Sequence, residues 1–133
     1  MKIRIIENSR IPKLLSWFIS IGAITLYPFI ISRGKMNQRT LTHEMIHIKQ
    51  QRELWVIGFY ILYVGYWLKN IIWRRMNPAN AYRAIPFEVE AYENDHNNLY
   101  PLTRERMAWR NYHSDGVIEI EVKIDINDLK RDD

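Results

Sequence analysis

Apolar and charged positions alternate without a break from Ile118 to Ile126. Ile118, Ile120, Val122, Ile124 and Ile126 fall on one side, and Glu119, Glu121, Lys123 and Asp125 on the other. A period of two belongs to a β-strand, so Val117–Ile126 is expected to be one, after a turn at Asp115-Gly116. Only its charges guard it against pairing with a foreign edge, which makes 117–126 a candidate docking strand for a partner protein. Elsewhere apolar residues come in blocks. Leu14 to Ser32 is 19 residues without a charge, and Leu54 to Leu68 is 15. The first has the length of a membrane span. Its second half, Ala23 to Ile31, is nevertheless rich in β-branched and aromatic residues and predicts a buried strand. The second block is short for a span. Its Tyr60, Tyr63, Tyr66 and Trp67 suit a membrane interface and equally suit a helix wrapped around a small core.

The rest parses into helices and loops. Ser32 to Gln38 is polar, contains Gly34, and predicts a loop. Thr40 or Thr42 can cap a helix that runs through Glu53 and on into the aromatic block. Asn77-Pro78 marks a break. Phe87 to about Asn98 predicts a Glu-rich helix ended by Pro101, and Leu102 to Tyr112 a further short one. Ile21-Gly22-Ala23 looks like a cleavage site, but apolar sequence continues past it, so no secretory signal is expected. A cytoplasmic or membrane-associated location follows as the expectation.

The chain has 133 residues, one domain's worth. It has no cysteine, which excludes disulfides, Cys-type zinc ribbons, iron–sulfur clusters and thiol nucleophiles. A transition metal would need His, Asp or Glu, and there are four His: His43, His47, His96 and His113. The net charge of +4 is unevenly spread. Residues 10–83 carry 11 Lys and Arg against Glu44 and Glu53, whereas 84–133 carry 6 against 12 acids. Two such halves attract each other, so nucleic acid is not an expected partner.

The densest chemistry lies in His43-Glu44-Met45-Ile46-His47. On a helix, residues four apart share a face, and two imidazoles so placed can bind one tetrahedral metal ion. Glu44 then flanks the metal, where it can move a proton between water and a leaving group. This is the HExxH pattern of zinc hydrolases. A surface His pair without a metal is the alternative. A third protein ligand is required, and the acidic run Glu88-Val89-Glu90-Ala91-Tyr92-Glu93-Asn94-Asp95 is its best source. Glu88 and Glu90 both qualify, but they point about 200° apart on a helix, so only one can face the metal.

Glu88-Val89-Glu90-Ala91 resembles the Glu-x-x-Ala element of gluzincin metallopeptidases, including the CAAX-prenyl-protease type. The resemblance implies that Glu88 is the third ligand and that Ala91 lets two helices pack closely. Such proteins usually place an Asp after the Ala to orient a zinc-bound His; this chain has Tyr92 there, and Asp95, one turn on, is the replacement. Residues 11–112 as a whole are similar to short bacterial zincin-like proteins of unassigned function. The resemblance implies a small α+β zincin-like domain over 1–116, mainly helical, with a short N-terminal sheet. Residues 117–133 supply a C-terminal strand and acidic tail. It further implies that Ile21–Ile31 supplies an edge strand beside the zinc helix. The implied activity is zinc-dependent hydrolysis of a peptide or protein substrate, with Zn2+ on His43, His47 and Glu88 and with Glu44 as general base. Gln50 or Gln51 could hydrogen-bond a ligand or line the site, and Tyr82, Arg83, Tyr92, His96 and His113 are candidates to stabilise an oxyanion. Two rival readings remain: a catalytically silent assembly component, as of a virion or envelope complex, and a membrane-associated peptidase.

Overall fold

The computed structural model describes residues 2–10 and 23–112. The start of the first apolar block, His113 and the alternating strand at 117–126 lie outside the described residues. Within them the chain is α+β, with a small sheet followed by helices. Strands β1 (Arg4–Ile6), β2 (Ala23–Leu26) and β3 (Phe29–Ser32) form one sheet in the order β1-β3-β2. β3 pairs parallel with β1, matching Ile5 with Ile30, and antiparallel with β2, matching Thr25 with Ile30. The expected single strand over Ala23–Ile31 is therefore a hairpin. It turns at Tyr27-Pro28, whose peptide bond is cis. Proline has no N–H to give to a ladder, so a strand cannot run through it at a central position.

Helix α1 (Gln38–Glu53) starts at Asn37, whose side chain accepts the Thr40 N–H at 2.8 Å. Thr40 and Thr42 are thus inside the helix rather than at its cap. Thr42 instead donates its hydroxyl to the Gln38 carbonyl four residues back, at 2.8 Å. The helix does not continue into the aromatic block. Leu54 caps it, Trp55 and Val56 take positive φ of 58° and 61°, and the Val56 N–H closes on the Gln51 carbonyl at 2.7 Å. That bond and the left-handed residue before it make a Schellman-type stop. Helix α2 (Ile57–Ile72) then leaves at 112° to α1.

Asn77-Pro78 is a helix start. Asn77 accepts the Asn80 N–H at 2.8 Å, and Pro78 sits in the first turn of α3 (Pro78–Arg83), where its missing N–H costs nothing. α4 (Pro86–Asn94) is shorter than expected, with Asp95 as its cap. Pro101 opens α5 (Tyr100–Thr103) rather than closing α4. The helix expected over Leu102–Tyr112 is replaced by the end of α5 and a 3-10 turn, Ala108–Asn111.

The break between them has a cause. Arg104 is extended and sends its guanidinium inward, 3% exposed. Nε and Nη2 grip the two oxygens of Glu90 at 2.6 and 3.1 Å, while Nη1 holds Glu53. One cation thereby ties the end of α1 to α4. A core of Phe59, Ile85, Phe87 and Trp109 forms beside it, with ring centroids 4.6 Å apart for Phe59–Phe87 and 4.7 Å for Phe87–Trp109. Tyr60, Tyr63, Tyr66 and Trp67 pack against this cluster, so the aromatic residues of α2 face the protein.

Removing Arg104 would leave Glu90 fully buried and uncompensated. Arg104→Ala is expected to lower unfolding free energy by about 3–5 kcal/mol. Equilibrium urea denaturation of variant and parent checks this.

Candidate metal centre

α1 brings His43 and His47 to one face, and α4 crosses it with Glu88. Their atoms converge. His43 Nε2 lies 3.0 Å from Glu88 Oε2, His47 Nε2 lies 3.2 Å from Glu88 Oε1, and the two Nε2 atoms are 3.2 Å apart. All three side chains are buried, and as a group they could hold a metal ion. Donors about 2.0–2.1 Å from a tetrahedral ion stand about 3.3–3.4 Å from one another. The observed triangle is within a few tenths of an ångström of that. Ala91, one turn on from Glu88, is fully buried and adds no bulk between helices.

The groups behind the histidines decide what they offer in front. His43 Nδ1 faces Asp95 Oδ2 at 3.4 Å, and Arg39 holds the other Asp95 oxygen at 2.7 Å. His47 Nδ1 faces Gln50 Oε1 at 2.8 Å. Gln50 is oriented in turn, since its Nε2 donates to the Phe87 carbonyl at 3.1 Å and to Glu90 at 2.8 Å. Both rear partners are acceptors, so each imidazole carries its proton on Nδ1 and presents a lone pair at Nε2. Two lone pairs and a carboxylate then meet at one buried point. Such a set needs a positive charge among its members. Burial disfavours a charged His47, but the Glu88 carboxylate, with help from Glu44 and Gln50, overrides it and pushes the imidazole up to about 9. Burial likewise disfavours a charged Glu88, and the two histidines outweigh it, holding the carboxyl far below its usual range. A proton on His47 meets the need; a divalent cation, bound by all three at once, meets it with the donor set that transition metals favour.

Glu44 shares a cavity of about 130 Å³ with His47 and Glu88, walled by Ala23, Ile24, Thr25, Phe59, Tyr60, Tyr63 and Tyr82. Thr25 donates its hydroxyl to Glu44 Oε2 and so fixes the carboxylate from the sheet side. β2 is the strand beside α1 and one of the sheet's two edges among the described residues. Its outward groups are partly taken: Gln51 receives the Tyr27 N–H and donates to the Thr25 carbonyl, both at 2.8 Å, and Tyr60 donates to the same carbonyl.

The remaining candidates separate clearly. Glu90 faces Arg104, Gln50 and Tyr100, away from the histidines. Asp95 stands where the helix spacing put it. Tyr82 lines the cavity, and Tyr92 meets His43 edge to face, ring centroids 4.5 Å apart, with the Arg83 guanidinium 5.7 Å from the Tyr92 ring centre. His96 is exposed beyond α4 and takes no part; His113 is outside the described residues. Sequence reasoning missed Tyr63, which donates to Glu88 Oε1 at 2.8 Å, and Thr25. A lone hydroxyl in the otherwise apolar Ala-Ile-Thr-Leu strand was the only signal for Thr25. Burial first, then the charge of Glu88, hold the Tyr63 and Tyr82 hydroxyls well above the phenol range, so both remain hydrogen-bond donors.

Glu88→Ala is expected to abolish one-to-one metal binding, and Gln50→Leu to weaken it by about 10–100-fold through loss of His47 orientation. Competition against a chromophoric chelator measures both. Compared with protein families, with curated proteins and with solved structures, the chain matches none.

Proposed function

We propose that this protein is a zinc-dependent hydrolase that cleaves peptide bonds. The convergence of His43 Nε2, His47 Nε2 and the Glu88 carboxylate at one buried point, with Glu44 in the adjoining cavity, carries this reading. The donor set of two imidazoles and one carboxylate suits zinc and leaves a fourth position open. A zinc ion there supplies a Lewis acid that acidifies water and polarises a carbonyl.

The chain's own residues do the rest. Glu44, steadied by Thr25, accepts a proton from the attacking water and delivers it to the departing amine. Tyr82, a protonated phenol on the cavity wall, donates a hydrogen bond to the oxygen that gains charge. Asp95 and Gln50 hold the two imidazoles in register, and Tyr63 holds Glu88. β2 forms one wall of the cavity. The cavity takes about one side chain; drug-sized pockets are about 300–1,000 Å³. That smallness also favours a second reading, in which the metal braces a non-catalytic assembly component.

Zinc-loaded protein is expected to cleave a quenched fluorescent peptide library and to lose this activity with chelator. Glu44→Gln should retain zinc and lower the rate by about 10²–10⁴-fold. Equal, negligible cleavage by zinc-loaded parent and variant would sink the hydrolase reading and leave the scaffold.

A further inference from the structure

Helix α2 is turned inside out. Its inward face carries the polar atoms: the Tyr60 and Tyr63 hydroxyls, and Asn70, which is fully buried and donates to the Ala81 carbonyl at 3.0 Å. Its outward face is aliphatic. Ile57, Ile61, Val64, Leu68 and Ile72 recur at spacings of four, three, four and four, which puts them on one stripe about 80° wide. All five are exposed, Ile57 at 73% and Ile61 at 68%. An unbroken aliphatic stripe on an outer surface marks a contact with something apolar.

The surroundings of the stripe identify that contact. Trp55 and Trp73 flank the helix and are 89% and 76% exposed. Exposed indole rings at the two ends of such a helix are what the headgroup layer of a bilayer favours. No acid occurs from Leu54 to Phe87, while Lys69, Arg74, Arg75 and Arg83 do. Lys69 and Arg75 are exposed, and their stems can lie along the apolar surface with the charge outward. An anionic surface neutralises these charges, and no acid in the same stretch opposes it. Sixteen residues reach only about 24 Å, short of a hydrocarbon core about 30 Å thick. No single helix among the described residues is long and apolar enough to cross a membrane.

We propose that the outer face of α2 docks on an anionic lipid bilayer, the helix lying in the plane of the interface. The inner face of the same helix contributes Phe59, Tyr60 and Tyr63 to the cavity beside Glu44. Docking therefore holds the metal centre about one helix diameter, roughly 10 Å, from the lipid surface.

The test is flotation of the full chain with vesicles of phosphatidylcholine containing about a third phosphatidylglycerol, against phosphatidylcholine alone. The protein is expected to float with the anionic vesicles and to do so less as salt rises. Ile61→Ser/Leu68→Ser should lower the partition coefficient by about tenfold or more. Lys69→Glu/Arg75→Glu should remove the preference for phosphatidylglycerol. Both variants change only exposed side chains, and a far-ultraviolet circular dichroism spectrum and urea midpoint matching the parent serve as the check that they fold. Failure to float with either vesicle overturns the proposal, as does flotation unchanged in the aliphatic variant. A dimer in sedimentation velocity that the aliphatic variant dissolves, with no flotation, assigns the stripe to a second copy and overturns it equally.

Discussion

Everything around the centre of this molecule answers one electrostatic demand. Two imidazole lone pairs and a carboxylate are buried within 3.2 Å of one another, and such a group is stable only around a positive charge. Asp95 and Gln50 sharpen the demand, because each takes the Nδ1 proton side of its histidine and leaves Nε2 bare. Their own anchoring reaches further out. Gln50 depends on Glu90, Glu90 depends on Arg104, and Arg104 also holds Glu53 at the end of α1. A chain of contacts thus runs from the candidate metal point to the loop after α5. This explains why a residue as costly to bury as Arg104 is retained there: it compensates Glu90, which in turn fixes the rotamer of Gln50.

Legibility of the site followed the range of the contacts. His43 and His47 were readable because four residues of helix are enough to put them on one face. Asp95 was readable for the same reason, two turns beyond Glu88 at the C-cap of α4. The choice of Glu88 over Glu90 came from a resemblance. The structure gives it a physical basis, since Glu90 is engaged by Arg104 across the other face. Gln50 was only half readable: a hydrogen bond to a ligand was expected of Gln50 or Gln51 alike, and nothing in the sequence chose Gln50, which faces His47 in the structure. Thr25 and Tyr63 lie 19 and 25 residues from the carboxylates they bond, and no local pattern encodes such partners.

Fold legibility failed where punctuation was unusual. The end of α1 has Trp55 at the left-handed position that glycine usually occupies, so an apolar run continued through a sharp turn without a warning residue. The break at Asn77-Pro78 was legible, whereas Pro101 was read as a stop although proline is equally at home in the first turn of a new helix. The hairpin at Tyr27-Pro28 had a signal in Pro28, outweighed by the strand-forming residues on both sides of it. The α+β character survived these errors because it depends on the composition of whole segments rather than on their ends.

Periodicity alone could not orient α2, because apolar residues surround it. The aromatic residues suit a membrane interface and a small core alike, and they are the ones that face the protein. Size and hydroxyl groups explain the preference: Phe59, Tyr60 and Tyr63 must both fill the core beside Phe87 and supply donors to Thr25 and Glu88. Aliphatic side chains can do only the first of these tasks. Once the inward face is committed to rings with hydroxyls, the aliphatic residues are left for the outside, where water disfavours them. The shape of the candidate site and the apolar outer surface are therefore two consequences of one assignment of side chains around a single helix.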